Sequence, residues 1–253
     1  MEGYRRLVHA HGVGHAVIEA DIVDAGILRG ISEQEFVRAV VGARITGCRR
    51  HGKWLIIESS GPAIVVHFGM TGSLHWSGDD ESAPAQRWER VALSFTHGTL
   101  HYCDKRRLGG IWVTSADDVQ SVTRPLGPDV AGISTATLTT QLRSRRGSIK
   151  AGLLAQDVVA GLGNTLSDEV LWRARIHPAR KIAAMTAADY RRLRNAIAAA
   201  VTASFVHGRI PRTQRWLAGA RLLPSPCPRC SGPLRLTTIA GRTSAWCPHC
   251  QPE

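Results

Sequence analysis

Four cysteines near the C-terminus carry the sharpest chemical signal in this 253-residue chain: Cys227-Pro-Arg-Cys230 and Cys247-Pro-His-Cys250, with 16 residues between the pairs. Two such knuckles bring four thiolates to the corners of a tetrahedron, the donor set of a closed structural zinc site. Pro228 and Pro248 stiffen the knuckles, and the intervening PLRLTTIAGRTSAW reads as two short strands turning at Ala240-Gly241, a hairpin finger. Two disulfides are the other use for four cysteines. MEGYRRLVHAHG lacks the apolar core of a signal peptide, so a reducing cytoplasmic setting and zinc are expected. His249 is surplus to the four thiolates, while Cys48 and Cys103 fall in strand-like runs as small hydrophobes.

Charge gives the second chemical cue. The chain has 32 Lys and Arg against 20 Asp and Glu, a net charge of +12. Residues 1–130 sum to −1 and residues 131–253 to +13, so the excess lies in the second half. Such asymmetry suits a polyanion partner, because each cation that meets a phosphate releases condensed counterions. Arginine drift in a GC-rich genome is the plainer source, since 28 of the 32 cations are Arg. With 43% hydrophobic and 21% charged residues the chain can bury a core, and no run approaches the roughly 18 apolar residues of a membrane helix.

The elements that must position these groups have two textures. ARITGCRR, KWLIIES, AIVVHF, RVALSF and TLHYC, from about residue 40 to 115, are strand-type runs with short turns, as in a β-sandwich or barrel. No βαβ alternation appears, so a parallel nucleotide-binding sheet and a nucleotide cofactor are disfavoured. SGDDESAPAQ (77–86) reads as a polar exposed loop. From about 135 helix signals take over. Thr186-Ala-Ala-Asp189 opens a helix in capping-box style, Leu193, Ile197, Val201 and Phe205 form its apolar stripe, and Arg191, Arg192 and Arg194 lie opposite.

Between these helices, KAGLLAQDVVAGLGNTLSDEVLWRARIHPAR (150–180) reads as a short helix ending at Gln156-Asp157, a glycine turn Gly161-Leu162-Gly163, and a second helix starting near Asn164. A glycine turn ahead of a helix N-terminus is either an anion site or an ordinary interhelical turn.

These pieces together resemble the formamidopyrimidine-DNA glycosylase / endonuclease VIII family of base-excision repair enzymes. EGYRRL, GKWLIIE, HFGMTGSL, DKRRLGG, the long KAGLLAQDVVAGLGNTLSDEVLWRARIHP and the cysteine finger occur in the family's order over essentially the whole chain. The resemblance implies an α+β protein: an N-terminal antiparallel β-sandwich (1–128), a helical helix-two-turn-helix domain (129–220) and a C-terminal zinc finger (221–253). Damaged double-stranded DNA would lie between the halves, and the protein would act as a monomer. Residue by residue, Lys53 matches the hairpin lysine assigned acid/base or phosphate duties. Met70, Arg107 and Leu108 match residues that fill the hole left by a flipped nucleotide. Asn164 matches the asparagine that grips phosphate, Arg145 and Lys150 match basic contacts before it, and Arg242 matches the finger arginine credited with a role in elimination. His67 is a further DNA-contact candidate. Where the family often has histidine this chain has Trp88 or Arg90, so that contact is not carried over. Leu108 replaces a common phenylalanine, which leaves opposite-base preference open, and the Val206–Pro226 link is short for the family's base-capping loop.

The family's nucleophile is an N-terminal proline amine followed by glutamate. It attacks C1′, expels the base through a Schiff base, then cleaves the strand by elimination. Aligning Arg5-Arg6 with the family's basic pair puts that Pro-Glu six residues upstream of Met1. Two expectations follow: a glycosylase with AP lyase activity whose start lies upstream, or a damaged-DNA binder without the nucleophile.

Overall fold

A computed structural model describes residues 1–78, 87–206, 208–221 and 225–252. Most of the predicted loop 77–86 lies outside the described residues; its first two residues close a strand. The chain forms two compact units, Met1–Arg124 and Pro125–Glu253.

The first unit runs α1 (Glu2–His11), β1 (Glu19–Ile22), α2 (Glu33–Val40), β2 (Ile45–His51), β3 (Trp54–Ser59), β4 (Ala63–His67), β5 (Gly72–Gly78), β6 (Glu89–Phe95), β7 (Gly98–Asp104), β8 (Gly110–Thr114) and α3 (Val119–Thr123). Two antiparallel four-stranded sheets result, in the orders β1-β6-β7-β5 and β2-β3-β4-β8. Alternate residues, among them Leu55, Ile57, Ile64, Val66, Leu93, Leu100 and Tyr102, meet in the core with Phe36 of α2. On β3 and β4 the intervening residues Ile56, Ala63 and Val65 are buried too, packed with Val119 of α3. That explains why WLII and AIVV read as unbroken apolar runs: both faces are covered. α2 opens with a complete capping box, Ser32 and Glu35 each bonding the other's backbone.

The second unit runs α4 (Thr135–Arg143), α5 (Ile149–Leu154), α6 (Asn164–Ala174), α7 (Ala187–Val206), α8 (Leu217–Ala220), β9 (Arg235–Ile239) and β10 (Arg242–Trp246). The Thr186/Asp189 box forms as expected: the Asp189 carboxylate accepts from the Thr186 N–H at 2.9 Å, and the Asp189 N–H donates to the Thr186 hydroxyl at 3.2 Å. Leu193, Ile197 and Val201 bury the predicted stripe, each stabilising by about 1.5–3 kcal/mol. In the finger hairpin both turn residues are left-handed, Ala240 at φ 50° and Gly241 at φ 69°, which matches the twist of a two-residue hairpin. Among the described residues no helix is long and apolar enough to cross a membrane.

Candidate nucleic-acid interface

In the first unit, β2 and β3 are joined by Gly52-Lys53, with Gly52 in the left-handed region at φ 57°. The turn leaves Lys53 half-buried near His67, whose ring packs on Trp54 at 4.8 Å. Burial first, and the Lys53 ammonium second, hold the His67 imidazole below its ordinary pKa. His67 Nδ1 accepts from the Gly69 N–H at 3.2 Å, so the neutral ring carries its proton on Nε2.

Beyond His67 two loops touch. A Cβ on Gly69, which has φ 55°, would sit 2.5 Å from the Leu108 carbonyl carbon, so only glycine allows this approach. The contact joins the loop carrying Met70, 70% exposed, to the loop carrying Leu108, 49% exposed. Two apolar side chains standing in water on adjoining loops point to a ligand that covers them. Arg107, also at positive φ (55°), places its guanidinium 3.4 Å from Asp24 Oδ2, and Arg90 shares that carboxylate oxygen at 3.1 Å.

What pins these loops is Asp104, which has no exposed surface. Its carboxylate accepts from the Arg106 N–H at 3.2 Å, the Gly109 N–H at 2.9 Å and, in a short contact, the Thr71 hydroxyl. Burial would raise its pKa, but these donors outweigh burial and hold it below the ordinary aspartate value. One buried anion therefore ties the Met70 loop to the Arg107 loop.

In the second unit, α5 and α6 flank the predicted glycine turn. Gln156 clamps it: its amide donates to the Leu154 and Leu162 carbonyls at 3.0 and 2.9 Å, and its carbonyl accepts from the Gly161 N–H at 3.0 Å. Asn164 opens α6 and donates to the Thr243 carbonyl at 2.8 Å. The same carbonyl accepts from Lys150 Nζ at 3.2 Å and from Arg221 at 3.3 Å. Asp168, buried, accepts from Lys150 at 2.6 Å, Arg221 at 2.8 Å and the Ala245 N–H at 3.1 Å. Helices α5 and α6 thus grip β10, and Arg242 lies exposed at its first position.

The expectation that Lys150 contacts DNA needs correcting. Its side chain is 0% exposed and its ammonium is saturated by Asp168, Ser244 and the Thr243 carbonyl. Burial pulls both partners toward their neutral forms, Lys150 below and Asp168 above their ordinary pKa values. Lys150 is a strut under the finger. Arg145 remains half-exposed, in a short contact with Asp157, and lines an open groove with Arg143, Arg146 and Lys181.

The four cysteine sulfurs lie within 4.8 Å of one another, with Cys227–Cys250 at 3.9 Å and Cys230–Cys247 at 3.5 Å. A tetrahedral zinc with Zn–S bonds near 2.3 Å needs sulfurs about 3.8 Å apart, so the donor set fits the ion. Trp172 Nε1 donates to Cys227 Sγ at 3.3 Å, a hydrogen bond to a would-be ligand that docks the site on α6.

Of the residues singled out from the sequence, Lys53, His67, Met70, Arg107 and Leu108 lie on the first unit, and Asn164, Arg242 and the four cysteines on the second. No sequence signal marked the roles of Asp104, Thr71 and Asp24, which hold the Met70 and Arg107 loops, or of Gln156, Arg221 and Thr243, which hold the glycine turn and Asn164. Asp104 stood inside DKRRLGG, but its acidic side chain carried no signal for a polyanion site.

Comparison with known proteins agrees with this geometry. Family models match along the chain: the Formamidopyrimidine-DNA glycosylase N-terminal domain over residues 1–111, the Formamidopyrimidine-DNA glycosylase H2TH domain over 126–213, and the zinc finger found in FPG and IleRS over 225–252. The formamidopyrimidine-DNA glycosylase of Mycolicibacterium paratuberculosis is 31% identical, covering 100% of this chain and 97% of the relative. That of Pelotomaculum thermopropionicum is also 31% identical, covering 99% and 97%. A crystal structure of the Lactococcus lactis enzyme in complex with Fapy-dG DNA has a TM-score of 0.87 at 26% identity, covering 100% of this chain and 98% of that one. The same enzyme bound to DNA with an AP site gives 0.88 at 27% identity, with the same coverage. Three family models in order, relatives matched end to end and a shared fold leave one assignment: this chain belongs to the formamidopyrimidine-DNA glycosylase family.

Proposed function

We propose that this protein is a base-excision repair DNA glycosylase with AP lyase activity, acting on damaged or abasic duplex DNA. The observation that carries the reading is the exposed pair Met70 and Leu108 beside Arg107, on loops tied together by buried Asp104. An apolar wedge replaces the stacking lost when a nucleotide leaves the duplex, and a guanidinium pairs with the base left behind. Asp24 holds that guanidinium ready before DNA arrives.

Asn164 and Arg242 grip phosphates near the lesion, Asn164 through its remaining amide hydrogen. Arg145 and the groove it lines extend the grip along the backbone. Lys53, with neutral His67 at its side, supplies a cation at the lesion, where the family resemblance assigns acid/base or phosphate duties. Zinc supplies structure to the finger. The protein works as a cytoplasmic monomer and without a nucleotide cofactor.

Base loss requires an amine that attacks C1′ and forms a Schiff base. Borohydride trapping on an abasic-site duplex tests the lyase, using the chain extended six residues to the register of the family's Pro-Glu start. A covalent protein–DNA adduct is expected. Lesion-selective binding without adduct would overturn the lyase and identify a damaged-DNA binder instead.

A further inference from the structure

We infer that Trp88 is a stacking platform for a nucleobase unstacked by lesion extrusion, flanked by Arg87 and Lys105 as contacts for that nucleotide's phosphates; this rests on the reading above. Trp88 is 41% exposed and belongs to neither hydrophobic core of the first unit. Its backbone has φ 70°, a left-handed conformation that is an outlier for a bulky aromatic residue. Such strain persists only where the surroundings over-determine it, and it gathers at sites that meet ligands. One hydrogen bond fixes it: the Asp104 N–H donates to the Trp88 carbonyl at 2.9 Å. The residue that organises the wedge loops therefore also sets the tryptophan's position.

The ring's neighbours define what it could hold. Arg87 Cζ lies 5.0 Å and Lys105 Nζ 5.7 Å from the ring centroid, and both residues are exposed. A part-exposed indole with two cations over it matches a nucleobase with its flanking phosphates, the cations passing from the ring to the phosphates as the base arrives. Single-stranded nucleic acid is bound without sequence preference by this arrangement. The surface is continuous with the wedge. Lys105 is followed by Arg106, whose guanidinium lies 3.7 Å from Met70 Sδ. In intact duplex every base face is covered by its neighbours, so the indole gains a base as partner only once extrusion breaks the stack.

The test is equilibrium binding to a duplex bearing a tetrahydrofuran abasic analogue and to the matched undamaged duplex, at one salt concentration and then across salt. Trp88→Ala should weaken lesion binding about tenfold, the range of one base–aromatic stack, while Trp88→Phe stays near wild type. Binding to the undamaged duplex and the salt slope should not change, because no phosphate contact is removed. Trp88→Gly is the control for folding: it relieves the positive φ, so its Tm should equal or exceed wild type while lesion affinity falls as in the Ala variant. Wild-type lesion affinity in the Ala and Gly variants would overturn the inference, leaving the proposed function intact. So would an equal loss on both duplexes with a shallower salt slope, which would mean that Trp88 only orients its two cations. If the wild-type protein shows no lesion preference, the proposed function fails, and this inference with it.

Discussion

The side-chain amide of Asn164 donates to the Thr243 carbonyl at 2.8 Å, joining the first residue of α6 to the strand residue that follows Arg242. Two proposed phosphate contacts, one on a helix and one on the finger, are therefore fixed at one carbonyl. Asn164→Ala removes that bond together with the phosphate contact. We expect lesion-duplex affinity to fall at least tenfold, with a stability loss of only about 1 kcal/mol, since one neutral hydrogen bond is lost. Titration and thermal unfolding of the same variant check both halves; a large Tm drop with unchanged affinity would contradict them.

Lys150→Met should behave in the opposite way. It leaves Asp168 buried with one cation fewer, and breaking a buried pair costs about 3 kcal/mol or more. Lys150→Met with Asp168→Leu should recover part of that loss. Urea unfolding of the single and double variants reads the coupling.

Asp104 gives a pH signature. Its folded pKa lies below the unfolded value of about 3.9, so its contribution to stability is present above that value and is lost as pH falls through the folded one. Asp104→Asn should cost about 2 kcal/mol at pH 7, from hydrogen bonds to a charged acceptor, and should flatten the stability curve below pH 4. Acid titrations of wild type and variant, followed by circular dichroism, measure the difference.

Zinc removal should act on the second unit. Stripping the ion with a strong chelator, or Cys247→Ser, should change the fluorescence of Trp172, whose indole N–H meets Cys227 Sγ, and should abolish tight DNA binding. The β-sheet signal of the first unit should persist. Full lesion affinity in a metal-free protein would count against the finger's role.

How much was legible in the sequence follows from how local each signal was. β3 and β4 announced themselves because both faces are buried, whereas β1, EADI, and β5, GSLHWSG, are partly exposed and carry little apolar contrast. Ser32 and Glu35 formed a readable capping box that the sequence reading passed over. The cysteine knuckles and the Ala240-Gly241 turn are short-range patterns and came through intact. Lys150 looked like a surface cation because its partners, Asp168 and Ser244, are 18 and 94 positions away. Asp24 and Thr243 were hidden for the same reason, since they stand 83 positions from Arg107 and 79 from Asn164. Asp104 has near partners in the Arg106 and Gly109 N–H groups, but backbone donors leave no mark on composition.

The central claim is that the Met70, Arg107 and Leu108 loops recognise a nucleotide missing from its stack. Affinity for a tetrahydrofuran-containing duplex relative to undamaged duplex, at about 0.15 M salt, measures that claim directly. We predict a preference of at least about a hundredfold that collapses toward unity in Met70→Ala/Arg107→Ala/Leu108→Ala, with undamaged-duplex binding changed far less. Equal affinity of the wild-type protein for both duplexes, or a preference that survives removal of all three side chains, would contradict it.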